Sequence, residues 1–253
     1  MLIESTRNET VKRARALSQR KSRLEQGVHL IEGEKLVREA AISGACFRDA
    51  FIEEGHDAMK ALLEEHGASV HIVKRSVMES LTQTGTPQWV AATVETPEQP
   101  IPMQYPAGLI VALDCVQDPG NLGTILRTAD AMGAAGLFLG EGCADPYAPK
   151  PLRASMGSVY HIPVWQGDLQ KEVGRLAEQG FKLVCGHLKG GSELPAPGEK
   201  CVLIIGNEGN GVSDAIADQC EKYRLPMYGR AESLNASVAA GILIYELARK
   251  MRG

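Results

Sequence analysis

Along this chain, hydrophobic and polar positions fall into two regimes. In the first, short apolar runs at Val28–Ile31, Cys46–Ile52, Val70–Val73 and Trp89–Val94 alternate with stretches of helical periodicity such as Glu34–Ile42 and Ala58–His66. That rhythm predicts a small α/β unit. The segment Glu95–Pro106 then carries Pro97, Pro100, Pro102 and Pro106, which neither propagate a helix nor donate to a central ladder. The expected division is therefore a domain over residues 1–95, a proline-rich linker over 96–107 and a second domain over 108–253.

In the second regime, Leu109–Leu113, Gly136–Leu139, Phe181–Cys185 and Cys201–Ile205 read as buried strands. Helices at Asn121–Met132 and Asp168–Gln179 separate them, which is the βαβ rhythm of a parallel, doubly wound sheet. The last element, Asn235–Met251, is a long and largely apolar helix that must pack on something broad, either the sheet or another subunit.

Composition narrows the class. With 253 residues, 44% hydrophobic and 23% charged, the chain is neither disordered nor fibrous nor a disulfide-stapled miniprotein. The longest apolar stretches, Ala107–Val116 and Ser237–Ala248, fall short of a membrane span, and Met1–Arg7 lacks the features of a secretory signal. A cytoplasmic protein with no membrane association is expected. Six cysteines stand singly, without a C-x-x-C pair, and read as reduced core thiols; the six histidines form no H-E-x-x-H, so no metal is expected.

The net charge of −4 conceals a basic segment: Arg7–Arg23 holds seven cations (Arg7, Lys12, Arg13, Arg15, Arg20, Lys21, Arg23) against Glu9 alone. Thr6 and Glu9 have capping-box spacing, and Val11, Ala14, Leu17 and Leu24 recur at helical intervals, so one amphipathic helix with a basic outer side is predicted. Such a run is either a solvated surface or a row of phosphate contacts along nucleic acid.

Three loops carry the candidate chemistry. Asp118-Pro119-Gly120-Asn121-Leu122-Gly123-Thr124-Ile125-Leu126-Arg127 follows a strand and opens a helix on which Arg127 lies opposite the apolar stripe. Its side chain should lean over Gly123 toward Asn121. Gly206-Asn207-Glu208-Gly209-Asn210-Gly211 follows the strand ending at Ile205; it is neither a P-loop nor a G-x-G-x-x-G turn, and its glycines allow close backbone approach to a ligand. An acid inside it, Glu208, suits a cationic or amide-bearing ligand better than a phosphate. The segment Leu225–Ala239 runs from a strand through a polar loop into the last helix, for which Ser233 or Asn235 is a candidate cap.

These three segments, in this order at strand ends, resemble the SpoU family (TrmH-type) of RNA ribose 2′-O-methyltransferases in the SPOUT class, over roughly Leu109–Met251. Asp145-Pro146-Tyr147 and Arg153-Ala154-Ser155-Met156-Gly157-Ser158 look like the same family. Asn8-Glu9-Thr10-Val11-Lys12 and Glu32-Gly33-Glu34 are similar to the substrate-binding domain that many members carry ahead of the catalytic one.

The resemblance implies an α/β fold with a deep trefoil knot in the carboxy-terminal domain, S-adenosyl-L-methionine as cofactor, and methylation of a ribose 2′-hydroxyl in structured RNA. Ribosomal RNA, 23S above all, is preferred over transfer RNA as substrate, and a homodimer is expected. Carried onto this sequence, the functional set is Asn121, Arg127, Glu208, Ser233 and Asn235, and the cofactor contacts are Gly206, Leu225, Ser233 and Leu234, with His187 as a further candidate. RNA contacts are expected at Arg7, Lys12, Arg13, Arg15, Arg20, Lys21 and Arg153.

Arg127 has two open roles, acceptor of the hydroxyl proton or a charged group that stabilises the developing alkoxide or an adjacent phosphate. Rival functions are a non-catalytic RNA-binding or ribosome-assembly factor on the same fold and a nucleotide-dependent oxidoreductase, the latter weakened by the missing G-x-G-x-x-G.

Overall fold

The computed structural model describes residues 2–82 and 87–253. Contacts cluster them into two units, one comprising the chain up to Glu98 with Tyr147–Tyr160, the other Gln99–Pro146 with His161–Gly253.

The first unit is built on five strands, β1 (Leu2–Ile3), β2 (Val28–Glu32), β3 (Phe47–Ile52), β4 (Ser69–Val73) and β5 (Val90–Glu95), in the order β1-β4-β3-β5-β2. β4 pairs in parallel with β1 and β3, whereas β5 runs antiparallel to β2 and β3. The helices are α1 (Glu9–Ala16), α2 (Arg20–Gln26), α3 (Glu34–Ile42), α4 (Asp57–Glu65) and α5 (Arg75–Leu81). Val11 and Ala14 of α1 join Phe51, Val77 and Met78 in one core cluster.

The basic segment departs from the single helix predicted. Its cap is Asn8 rather than Thr6, with Asn8 Oδ1 accepting from the Thr10 and Val11 amides. The helix then stops after Ala16 and restarts at Arg20. Arg23 is the reason the break is tolerated: it is 6% exposed and donates from Nη1 to the Leu17 and Ser18 carbonyls at 2.7 and 3.1 Å, satisfying acceptors that a helix end leaves open. Restarting the helix also turns Leu24 outward, 72% exposed, so it is not part of the apolar stripe.

The second unit contains β6 (Gly108–Leu113), α6 (Pro119–Ala131) and β7 (Gly136–Gly140). After the short helix α7 (Pro149–Ser155) follow β8 (Val164–Gly167), α8 (Leu169–Glu178), β9 (Lys182–Gly191), β10 (Lys200–Ile205), α9 (Asp214–Ala217), β11 (Glu221–Tyr223) and α10 (Ala236–Arg252). Six parallel strands stand in the order β11-β9-β10-β6-β7-β8. From β6 the chain winds outward through β7 and β8, then returns to the other side at β9, so the direction reverses between β6 and β10. In open α/β sheets a crevice for ligands forms outside the carboxyl ends at such a point. The register makes the two ends level, because Ile205 partners Leu113 and the Asp114 amide donates to the Ile205 carbonyl at 2.8 Å.

The proline-rich linker is docked rather than loose. Tyr105 is buried, its hydroxyl donates to Glu172 Oε2 at 2.7 Å and its amide to Gln179 Oε1 at 2.9 Å, while Arg175 holds the Pro102 and Met103 carbonyls. The buried carboxylate of Glu172 is matched by Arg175 at 2.6 Å, as a charge removed from water requires.

The stretch Tyr147–Tyr160, read from sequence as part of the second domain, groups with the first unit. Its Tyr160 hydroxyl hydrogen-bonds the buried His29 ring at 2.6 Å, and Tyr147 packs on the same ring at 4.9 Å. Two cysteines, Cys185 and Cys201, are core thiols as expected, whereas Cys46 is exposed and Cys115, Cys143 and Cys220 are half-buried. Among the described residues no helix is long and apolar enough to cross a membrane.

Candidate active site

At the carboxyl end of β6, Asp118 caps α6 by accepting the Asn121 amide at 2.8 Å, and Pro119 fits the first turn, where its missing N–H costs nothing. This fixes Asn121 in the first turn with its side chain buried, 8% exposed. Asn121 Nδ2 donates to Glu208 Oε1 at 2.7 Å, and Asn121 Oδ1 accepts from Asn235 Nδ2 at 3.0 Å. Asn235 in turn caps α10, its Oδ1 accepting from the Ser237 and Val238 amides and from Ser237 Oγ. One hydrogen-bonded chain thus links all three loops at the switch point. The carboxylate accepts the amide N–H and the two asparagines dispose their remaining groups without conflict, so each side chain has a single consistent orientation.

The glycine loop has its own internal frame. A Cβ on Gly206 would overlap the backbone of Gly211 and Val212, so only glycine allows the loop to close on itself. Closure is seen in the paired backbone bonds between Asn207 and Gly211 at 3.0 and 2.9 Å. Asn207, which the sequence analysis passed over, donates from Nδ2 to the Cys115 carbonyl at 2.9 Å and accepts the Gly209 and Asn210 amides at 2.8 and 3.3 Å. The signal for it was present, since an asparagine ahead of glycines is an Asx-turn former. Just beyond the loop, the Ser213 amide donates to Asp114 Oδ2 at 2.7 Å, a second tie between the ends of β6 and β10.

Of the five residues in the expected functional set, the structure joins Asn121, Glu208 and Asn235. Arg127 stands exposed on α6 and makes no hydrogen bond or ion pair with any described residue, so it is not held against Asn121. Ser233 is exposed in the loop before α10, beside Leu234, which is 37% exposed. Leu225 is half-buried after β11. His187 lies on β9, half-buried, with Nδ1 accepting the Lys189 amide at 3.1 Å. α10 packs on α6, with Gly241 facing the Thr128 methyl one residue beyond Arg127.

The candidate RNA contacts lie in the first unit. Arg7, Arg13, Arg15 and Arg20 are exposed and form no ion pair among the described residues, while Lys12 pairs with Glu9 at 2.7 Å and Lys21 with Glu25 at 3.8 Å. Arg153 on α7 is half-buried and lines a cleft with Ser18, Glu32 and Thr82. No group of three or more His, Cys, Asp or Glu among the described residues could hold a metal ion.

A doubly wound parallel sheet with a polar chain across its switch point and a glycine loop beside it defines an α/β domain organised around a nucleotide-like ligand. The sequence matches the SpoU rRNA Methylase family over residues 108–245 and the MRM3-like substrate binding domain over residues 8–92. The chain belongs to the SpoU rRNA methylase family. It is 39% identical over 249 residues to the 23S rRNA (guanosine(2553)-2′-O)-methyltransferase RlmP of Bacillus subtilis, covering 97% of this chain and 98% of that one. Among solved structures, the AdoMet-bound rRNA methyltransferase from Sinorhizobium meliloti matches with a TM-score of 0.89 at 34% identity, over 98% of this chain and 97% of the other. The SpoU methyltransferase AviRb from Streptomyces viridochromogenes, in complex with AdoMet, matches with a TM-score of 0.87 at 29% identity, over 98% and 99%.

Proposed function

We propose that this protein methylates a ribose 2′-hydroxyl in structured RNA, with 23S ribosomal RNA as substrate and S-adenosyl-L-methionine as methyl donor. The observation that carries the reading is the Glu208–Asn121–Asn235 chain, which unites the three family loops at the β6/β10 switch point. The relative named for 23S rRNA 2′-O-methylation, aligned over nearly the whole chain, supports the same substrate.

The residues present suit the cofactor. A Cβ at Gly206 would fill the space in which the loop closes at the sheet end, and Leu234 offers accessible apolar surface next to Ser233 in the chain, with Leu225 half-buried after β11. Gly206, Leu225, Ser233 and Leu234 would hold the donor, with His187 as a further contact. When bound, S-adenosyl-L-methionine supplies an electrophilic methyl carbon. Asn121 and Asn235 would position the nucleotide, and Glu208 braces Asn121 so that its amide cannot turn. Arg127 faces solvent as a charged guanidinium. Of its two roles, stabilising the developing alkoxide or a neighbouring phosphate is the one it performs without surrendering a proton. Ser233 binds RNA phosphate.

Arg7, Arg13, Arg15 and Arg20, with Lys12, Lys21 and Arg153, engage RNA phosphates and give an affinity that falls steeply with salt. The reading includes the deep trefoil knot of the SPOUT class and a homodimer. Val238, Ile242 and Tyr245, exposed at successive helical turns of α10, form the apolar stripe for that dimer. Action in the cytoplasm follows from the substrate.

Calorimetric titration with S-adenosyl-L-methionine and with NAD, followed by single-turnover methylation of 23S rRNA and tRNA transcripts, tests the proposal. Selective binding of the sulfonium and transfer to 23S rRNA are expected; binding of NAD alone, or transfer to tRNA alone, would overturn it.

A further inference from the structure

The glycine loop poses a mechanical question. Glu208 is exposed, on a loop of three glycines in six residues, yet its carboxylate must meet a buried amide on another element. Glycine-rich backbone is the most costly to immobilise, because each glycine gives up more conformational freedom than any other residue. Something must hold the loop, and the network around Glu208 does not: the Asn121–Glu208 bond fixes only the carboxylate tip.

We infer that Asn207 is a positioning residue for the methyl-transfer site, acting through Glu208. This rests on the function proposed above and deepens it. Among the described residues, Asn207 is the one side chain that ties the loop both to itself and to its neighbour. Its Oδ1 gathers the Gly209 and Asn210 amides, which fixes the backbone on the far side of Glu208, and its Nδ2 fastens the assembly to the Cys115 carbonyl at 2.9 Å.

The anchor point is unusual. Cys115 has φ 56°, one of two non-glycine residues among those described with positive φ. For a residue with a Cβ this left-handed backbone is unfavourable and persists only where its surroundings over-determine it. In that conformation the Cys115 carbonyl meets the Asn207 amide. Two turns, one strained and one flexible, are thereby locked together at the level ends of β6 and β10, and Glu208 is delivered to Asn121 from a fixed base.

The substitution that isolates this role is Asn207→Asp. Aspartate keeps an oxygen for the Gly209 and Asn210 amides but replaces the donor to Cys115 by an acceptor facing a carbonyl. A double-mutant cycle with Glu208→Ala separates positioning through Glu208 from general loss of structure. Asn207→Asp is expected to slow single-turnover transfer about tenfold or more when Glu208 is present and by less than about twofold in the Glu208→Ala background. Hydrogen exchange over residues 206–212 should quicken at least about tenfold while the melting temperature of the whole protein holds. Equal rate losses in both backgrounds, or unchanged exchange in this loop, would overturn the inference. If the unaltered enzyme transfers no methyl group to any RNA, the functional proposal fails, and the exchange measurement still decides whether Asn207 holds the loop.

Discussion

Replacing Asn121 by aspartate changes one atom at the centre of the site and sets a sharp test. The Nδ2 that donates to Glu208 Oε1 at 2.7 Å becomes an oxygen, leaving two carboxylates in contact where a charge-assisted hydrogen bond had been. Losing that bond costs about 1.5–3 kcal/mol. At 2.7 Å two like charges repel by about 6 kcal/mol at an effective dielectric of 20 and about 1.5 kcal/mol in water. Glu208 is exposed, so solvent screening brings the repulsion to the lower figure. The two effects together predict a loss of about 3–4.5 kcal/mol in site organisation, an upper bound because Glu208 can swing into water, and hence a rate reduced at pH 8 by up to about 150- to 2,000-fold.

The pH dependence has a definite sign. The carboxylate pair binds a shared proton more readily than a lone carboxylate, so its titration is pushed upward. As pH falls the proton restores a donor between the two groups, and the ratio of variant to wild-type single-turnover rate should rise from pH 8 toward pH 5.5. The same ratio for Asn121→Ala, which removes the second carboxylate, should stay flat. An Asn121→Asp enzyme with wild-type rate at pH 8, or two variants with parallel pH profiles, would refute the hydrogen-bonded chain as the organising feature of the site.

Gly206→Ala forces a methyl group into the Gly211 and Val212 backbone, so the loop must open; binding of S-adenosyl-L-methionine should weaken at least about tenfold by calorimetry, and unchanged binding would detach the cofactor from this loop. Replacing Arg13, Arg15 and Arg20 together by glutamine should lower the slope of log affinity against log salt by about 2–3 in a filter-binding assay, at 0.7–0.9 per phosphate contact, and an unaltered slope excludes them. Arg23→Gln should leave that slope unchanged but destabilise the fold by about 1–3 kcal/mol in urea, because the Leu17 and Ser18 carbonyls lose a buried donor; a changed salt slope would mean that Arg23 reaches RNA. Burial pushes the Cys143 thiol up to about 11 and Cys201 up to about 12, from an ordinary 9.0. At pH 8 a thiol reagent should therefore modify exposed Cys46 and spare both, and stability should decline above about pH 9, where unfolded thiols ionise and folded ones do not; equal reactivity of Cys201 and Cys46 in the native protein contradicts this.

Much of the second unit was legible because its strands are buried on both faces and so read as unbroken apolar runs: Leu109–Leu113 and Cys201–Ile205 differ from β6 and β10 by one residue each. The strands that escaped notice, β1 and β8, are short and at sheet edges, where pairing with a neighbour rather than an apolar run defines the element. The break between α1 and α2 was hidden for a different reason. Arg23 contributes to the basic charge count, but its role in holding the Leu17 and Ser18 carbonyls depends on contacts that periodicity does not encode.

At the site, local geometry pointed Arg127 back toward Asn121, and the fold instead ties Asn121 to Glu208 and Asn235, residues 87 and 114 positions away. Partners so distant in the chain become neighbours only through strand order, which the motifs in sequence do not state. The turn-forming half of Asn207's role is legible in its place ahead of glycines, but its tie to Cys115 is not, because nothing in the identity of Cys115 marks its carbonyl as an acceptor.

The most direct test follows an isotopically labelled methyl group from S-adenosyl-L-methionine into 23S rRNA and locates it by mass spectrometry of the digested nucleosides. The label is expected on the ribose 2′-oxygen of one nucleoside, and Asn121→Ala should abolish it while the protein stays folded. Label on a base atom, or an RNA left unlabelled by an enzyme that has bound both cofactor and substrate, would contradict the account.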